Sequence, residues 1–130
     1  MIVDASVIIA ILRDEPGTAA ISEVLQGAPV CRMSAVTYVE AAIVTDSNRN
    51  PVLSRRFDDL LRDVGIQIES VTHGQAEIAR AAYRDFGKGR HKAGLNFGDC
   101  FAYALAKEMD EPVLFKGQDF AHTDVKRADI

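Results

Sequence analysis

The chain has 130 residues, a net charge of −4, and 48% hydrophobic and 26% charged residues. Such proportions suit a globular core and exclude a disordered chain. The longest apolar run, Val7–Leu12, is too short to span a bilayer, and the negative balance argues against a surface that binds nucleic acid everywhere, though not against a local basic strip.

Met1-Ile2-Val3 predicts a short strand at the very start, followed by a turn at Asp4-Ala5-Ser6 and a short helix through Leu12. Thr18 to Gln26 predicts a second helix, with Thr18 as N-cap and Gly27 as its stop. Pro29–Met33 is the next strand, and Ser34 caps a helix to about Ser47. Asn50-Pro51 is an N-cap followed by an N1 proline, so a helix runs from there to Gly65. Its apolar stripe is Val52, Leu53, Phe57, Leu60, Leu61 and Val64.

Ile66–Val71 predicts a third strand, and Thr72 with Gln75 a capping box for a helix ending near Phe86-Gly87. After a loop from Lys88 to Leu95, Asn96 caps a helix from Phe97 to about Met109. Its residues Phe97, Phe101, Ala104 and Leu105 recur at helical spacing and are expected to face the core. Pro112–Phe115 is a fourth strand, Lys116–Phe120 a turn or short helix, and Asp124–Ala128 a candidate last edge strand. Short strands alternating with helices predict an α/β sandwich with a mostly parallel sheet of four to five strands. Ligands of such sheets bind beyond the carboxyl ends of the strands.

Four carboxylates map to that end. Asp4 follows the first strand and precedes an apolar run; Glu40 shares a helix face with Val36, Thr37, Ile43 and Val44; Asp99 opens the late helix; Asp119 follows the fourth strand. Each also has an ordinary reading. Asp4 and Asp99 can cap helices, Glu40 can pair with Arg32, and Asp119 can cap a turn. Together they suggest a divalent cation, because clustered carboxylates in apolar surroundings are costly without one. Oxygen donors fit Mg²⁺, and no Cys-x-x-Cys or His-x-x-x-His spacing offers a His/Cys transition-metal site. Ser6, Thr37 and Asn96 are candidates either to orient these carboxylates or simply to cap helices.

From Arg84 to Lys92 the chain carries Arg84, Lys88, Arg90 and Lys92 against Asp85 alone. This strip is a solvated loop or a contact to a phosphate backbone, to which Lys116 could add. His73, His91 and His122 are scattered. Cys31 and Cys100 stand in apolar contexts and are expected to be buried, reduced thiols. With no leader pattern visible, a cytoplasmic location is expected.

Four segments together resemble the PIN-domain ribonucleases, and among them the VapC-type toxins of bacterial toxin–antitoxin pairs. Ile2-Val3-Asp4-Ala5-Ser6 looks like the family's first-acid motif, Ser34 to Glu40 its second, Leu95 to Ala104 its third, and Leu114 to Phe120 with Thr123-Asp124 its fourth. Gly117-Gln118 stand where many relatives carry a further Asp or Asn. The resemblance implies a PIN-like three-layer sandwich over residues 1–130 and a Mg²⁺- or Mn²⁺-dependent endoribonuclease. It implies Asp4, Glu40, Asp99 and Asp119 as metal-binding and catalytic residues. It also implies a homodimer, higher toxin–antitoxin assemblies, and inhibition by a VapB-type antitoxin whose C-terminal segment lies along the toxin. The apolar stripes between Ala35 and Leu61 are candidates for that groove, for core, or for dimer surface.

The expected reaction is in-line hydrolysis of an RNA phosphodiester. The alternatives are a phosphohydrolase with Asp4 as covalent nucleophile, weakened because Ser6 rather than a second acid follows, and a non-catalytic RNA- or protein-binding module.

Overall fold

The computed structural model describes residues 1–129. Its elements are β1 (Ile2–Val3), α1 (Ala5–Leu12), α2 (Thr18–Gly27), β2 (Arg32–Ser34), α3 (Ala35–Asp46), α4 (Pro51–Val64), β3 (Gln67–Glu69), α5 (His73–Phe86), α6 (Phe97–Met109) and β4 (Val113–Leu114). The four strands pair in the order β3-β2-β1-β4, and every pairing is parallel. The strand beginning at the second residue therefore lies inside the sheet.

Successive strand residues point to opposite faces, and two apolar layers form accordingly. Val3, Met33 and Leu114 join Val7, Ile8, Leu12, Phe57 and Leu61 in the layer built with α1 to α4. Ile2, Val113 and Phe115 join Leu95, Ala102, Ala104 and Leu105 in the layer built with α5 and α6. The result is the expected sandwich.

Local signals explain most helix ends. Ser34 accepts from the Val36 N–H, Asn50 from Val52 and Leu53, and Thr72 from Gln75. Gly65 closes α4 in the left-handed conformation at φ 76°. Four expectations change. Thr18 is not a cap: Gly17, at φ 86°, takes that place and Thr18 is the first helical residue. The box at Thr72 is half made, because the Gln75 side chain donates to Glu108 at 3.0 Å instead of turning back. The last edge strand reduces to a single parallel bridge, where Val113 donates to Lys126 and Ala128 donates to Val113, both at 2.9 Å. Phe97 does not face the core; it is 72% exposed, whereas Ala104 and Leu105 are buried. It is the first helical residue, and the buried residues of that turn are Gly98, Asp99 and Cys100 instead.

Candidate active site

The strand-to-helix step after β1 is tight, and it fixes the first acid. Asp4 is the N-cap of α1, its Oδ2 accepting the Ser6 N–H at 3.0 Å. Its own N–H donates to the Leu114 carbonyl at 3.0 Å, so β4 holds it from the other side. The residue is only 4% exposed, and its Oδ1 is buried with no hydrogen-bond partner. Burial raises its pKa, hydrogen bonding from Ser6 and the Ala5 N–H opposes this, and Asp119 adds repulsion.

Asp99 is fixed in the same manner from α6. Asn96 and Asp99 form a complete capping box: the Asp99 N–H donates to Asn96 Oδ1 at 2.8 Å, and the Asn96 N–H donates to Asp99 Oδ2 at 3.0 Å. The capping reading of Asp99 is thus correct, but capping does not settle its charge. Burial pushes its pKa up to about 7 against the Asn96 hydrogen bond, with further repulsion from Asp4, Asp119 and Glu40.

Glu40 reaches the same place from α3. It does not pair with Arg32, which instead engages Glu69 and Glu111 at 3.3 and 3.4 Å. Its carboxylate lies directly over Gly98, where a Cβ would overlap it. Burial and then the charge of Asp4 raise its pKa. Gly98, directly before Asp99, leaves the space that the Glu40 carboxylate fills, and sequence reasoning missed it. Its signal was a glycine in the first turn of a helix, where alanine is ordinarily better.

The acids open into a cavity of about 510 Å³, lined among others by Asp4, Ser6, Glu40, Asp99, Lys116 and Asp119. Asp119 lies at its exposed rim, in the turn after β4. Ser6 does not cap α1; its Oγ accepts the Lys116 N–H at 3.0 Å and so ties the two walls together. Glu15, also in the lining, holds Lys116 Nζ at 2.8 Å. Nothing in the sequence distinguished Glu15 from other loop acids, since its partner lies 101 positions away.

A model of the PIN domain matches residues 1–126. Ribonuclease VapC28 of Mycobacterium tuberculosis is 57% identical over 129 residues, covering 98% of this chain and 97% of the relative. The chain belongs to the PIN-domain family. Within it, the relatives matched over the full length are VapC ribonucleases. Among solved structures, M. tuberculosis VapC20, described as a sarcin-ricin loop cleaving toxin, superposes with a TM-score of 0.77 at 15% identity, covering 98% of this chain and 97% of that one. A toxin–antitoxin complex from Klebsiella pneumoniae gives 0.72 at 16% identity, covering 95% and 92%. At those identities the likeness is one of fold.

The remaining candidates of this PIN domain fall into three places. Thr37 is fully buried in α3, outside the cavity lining, and its hydroxyl has no hydrogen-bond partner. Asn96 borders the acid cavity and also a second groove, between α5 and α6. Of the basic strip, Lys88 lines that second groove, while Arg84, Arg90 and Lys92 stand exposed and none lines the acid cavity. Lys116 is the cation that does. The stripes between Ala35 and Leu61 divide: Ala41, Phe57 and Leu61 are core, whereas Val39, Ile43 and Val52 are at least half exposed. Cys31 and Cys100 are buried and unbridged.

Proposed function

We propose that this PIN domain is the endoribonuclease toxin of a toxin–antitoxin pair, dependent on Mg²⁺ or Mn²⁺. The observation that carries the metal reading is Asp4. One oxygen of a buried carboxylate is left without a partner beside three further acids, two of them with raised pKa values. A group so placed is stabilised by a cation or a proton. Among the described residues no three His, Cys, Asp or Glu side chains are grouped so as to hold a metal ion. Mg²⁺ is usually held by one or two carboxylates and keeps several waters. The donor set, all carboxylate oxygen, fits a hard cation.

Asp4 and Asp99 would hold the ion, with Glu40 and Asp119 acting directly or through water. When bound, it supplies charge neutralisation at the scissile phosphate and makes a water more acidic. The chain's own contribution is placement. The two caps at Asp4 and Asp99 fix carboxylate orientation, Gly98 leaves room for Glu40, and the Ser6–Lys116 hydrogen bond sets the cavity width. Lys116, steadied by Glu15, faces the same cavity and is suited to a phosphate oxygen. No histidine lines the cavity, so none is positioned as general base.

The exposed Val39, Ile43 and Val52 support α3 and α4 as the face for a VapB-type antitoxin, next to the carboxylate cavity that a basic side chain would enter. A homodimer and higher toxin–antitoxin assemblies belong to the same reading. Purified protein should cleave single-stranded RNA with Mg²⁺ or Mn²⁺ and stop on chelation. The Asp99→Asn variant should fold and cleave at least 100-fold more slowly, on the order of the 3 kcal/mol at stake in losing a catalytic charge. Undiminished cleavage by that variant, or cleavage unaffected by EDTA, would sink the assignment.

A further inference from the structure

Beside the carboxylate cavity lies the second groove, about 530 Å³, between α5 and α6. Its walls are aromatic: Phe97 and Phe101 meet edge to face at 5.0 Å between centroids, and Tyr83 faces them from α5. Phe97 is 72% exposed and Tyr83 41%, so neither serves the core. Around these rings stand cations. Arg80 and Lys88 line the groove, and the Arg90 guanidinium sits 5.9 Å from the Tyr83 centroid. Among the described residues no carboxylate forms an ion pair with Arg80, Lys88 or Arg90. In a chain of net charge −4, this is a concentrated positive rim around apolar rings.

The chemistry of an occupant follows from those two features. A second copy of the chain docked face to face would set this rim against itself, with like charges opposed. A single-stranded polynucleotide supplies both complements: flat bases that stack on aromatic rings, and phosphates that neutralise the cations. The groove adjoins the acid cavity, because Asn96 lines both. A strand whose phosphate lies over the carboxylates can therefore extend toward this groove.

We propose that the α5–α6 groove is a nucleobase-stacking subsite, in which Phe97 and Tyr83 hold a base of single-stranded RNA flanking the scissile phosphate while Arg80, Lys88 and Arg90 take adjoining phosphates. It rests on the ribonuclease reading above and adds what positions the strand. Stacking is largely indifferent to base identity, so the subsite selects for unpaired RNA rather than for a sequence.

The test uses the full chain carrying Asp99→Asn, which holds RNA without cutting it, and a fluorescent mixed-sequence oligoribonucleotide. A second oligomer has the same backbone with abasic sites. Phe97→Ala should weaken binding of the first roughly 5- to 100-fold, the range for one lost base stack, and leave the abasic oligomer unchanged. The chain contains no tryptophan, so Phe97→Trp installs a single reporter. Its emission should be quenched by the base-bearing oligomer and not by the abasic one. Equal loss on both oligomers, no loss, or no quenching overturns the subsite. So does a change in sedimentation mass with Phe97→Ala, which would make the groove a contact between copies. If the subsite alone fails, chelator-sensitive RNA cleavage by the unsubstituted protein persists; if the ribonuclease reading fails, that cleavage is absent.

Discussion

Asp99→Asn should make the metal-free protein more stable while removing its activity. The sign follows from the direction of the shift. Burial, with repulsion from Asp4, Asp119 and Glu40, pushes the Asp99 pKa from 3.8 to about 7. Between those values the folded chain holds a proton that the unfolded chain has released, so stability falls as pH rises through the window. Above about pH 7 the cost is complete. A displacement of about three pH units corresponds to about 4 kcal/mol at ~1.4 kcal/mol per unit. Solvent reaching the carboxylate through the open cavity screens this to about 2 kcal/mol. The substitution removes the charge and keeps the cap, because an Asn Oδ1 can accept the Asn96 N–H as Asp99 Oδ2 does. Thermal unfolding in EDTA at pH 8 should therefore place the variant roughly 6–10 °C above the parent, at roughly 3–5 °C per kcal/mol for a chain of this size. The gap should close toward pH 4. Added Mg²⁺ or Mn²⁺ should raise the parent's midpoint and move the variant much less. A variant no more stable than the parent at pH 8, or a difference that ignores pH, would refute the electrostatic reasoning.

Two other substitutions separate positioning from folding. Gly98→Ala places a methyl where the Glu40 carboxylate lies, and that carboxylate is the far end of a flexible side chain. The unfolding midpoint should shift by less than ~1 kcal/mol, since alanine is the better helix former. RNA cleavage should fall at least 10-fold; unchanged cleavage would show that Glu40 is not needed where it stands. Tyr103→Phe removes the 2.6 Å hydrogen bond from the Tyr103 hydroxyl to Asp124, and neither residue lines the acid cavity. It should lower stability by about 1 kcal/mol, as read by urea unfolding, and leave cleavage unchanged.

The mostly parallel sheet and the grouping of the four acids at one end of it were legible, because the elements that carry them rest on local chemistry. Asn96 with Asp99, Asn50 with Pro51, and Ser34 are side chains that satisfy helix ends in their own neighbourhood. What the sequence hid depends on distant partners. Phe97 has the spacing of a core residue, but periodicity does not reveal that Gly98, Asp99 and Cys100, not Phe97, are the buried residues of that first turn. Glu15 resembles any loop acid until β4 brings Lys116 to it. The net charge state of Asp99 was also out of reach. The cap that favours its ionised form is local and visible, whereas the burial and the three like charges that outweigh it come from the whole fold.

The place of β1 in the sheet has a consequence for the timing of synthesis. Asp4 is held on one side by β4, and the Ser6–Lys116 hydrogen bond closes a span of 110 positions. Such a contact cannot form until β4 and the residues before it have been translated, and its long loop must be closed before the contact repays the entropy lost. Between the synthesis of Asp4 and that of β4, the nascent chain therefore carries the first of the proposed catalytic acids without a finished site around it. The cavity that brings the four acids together is therefore completed only after β4 is made.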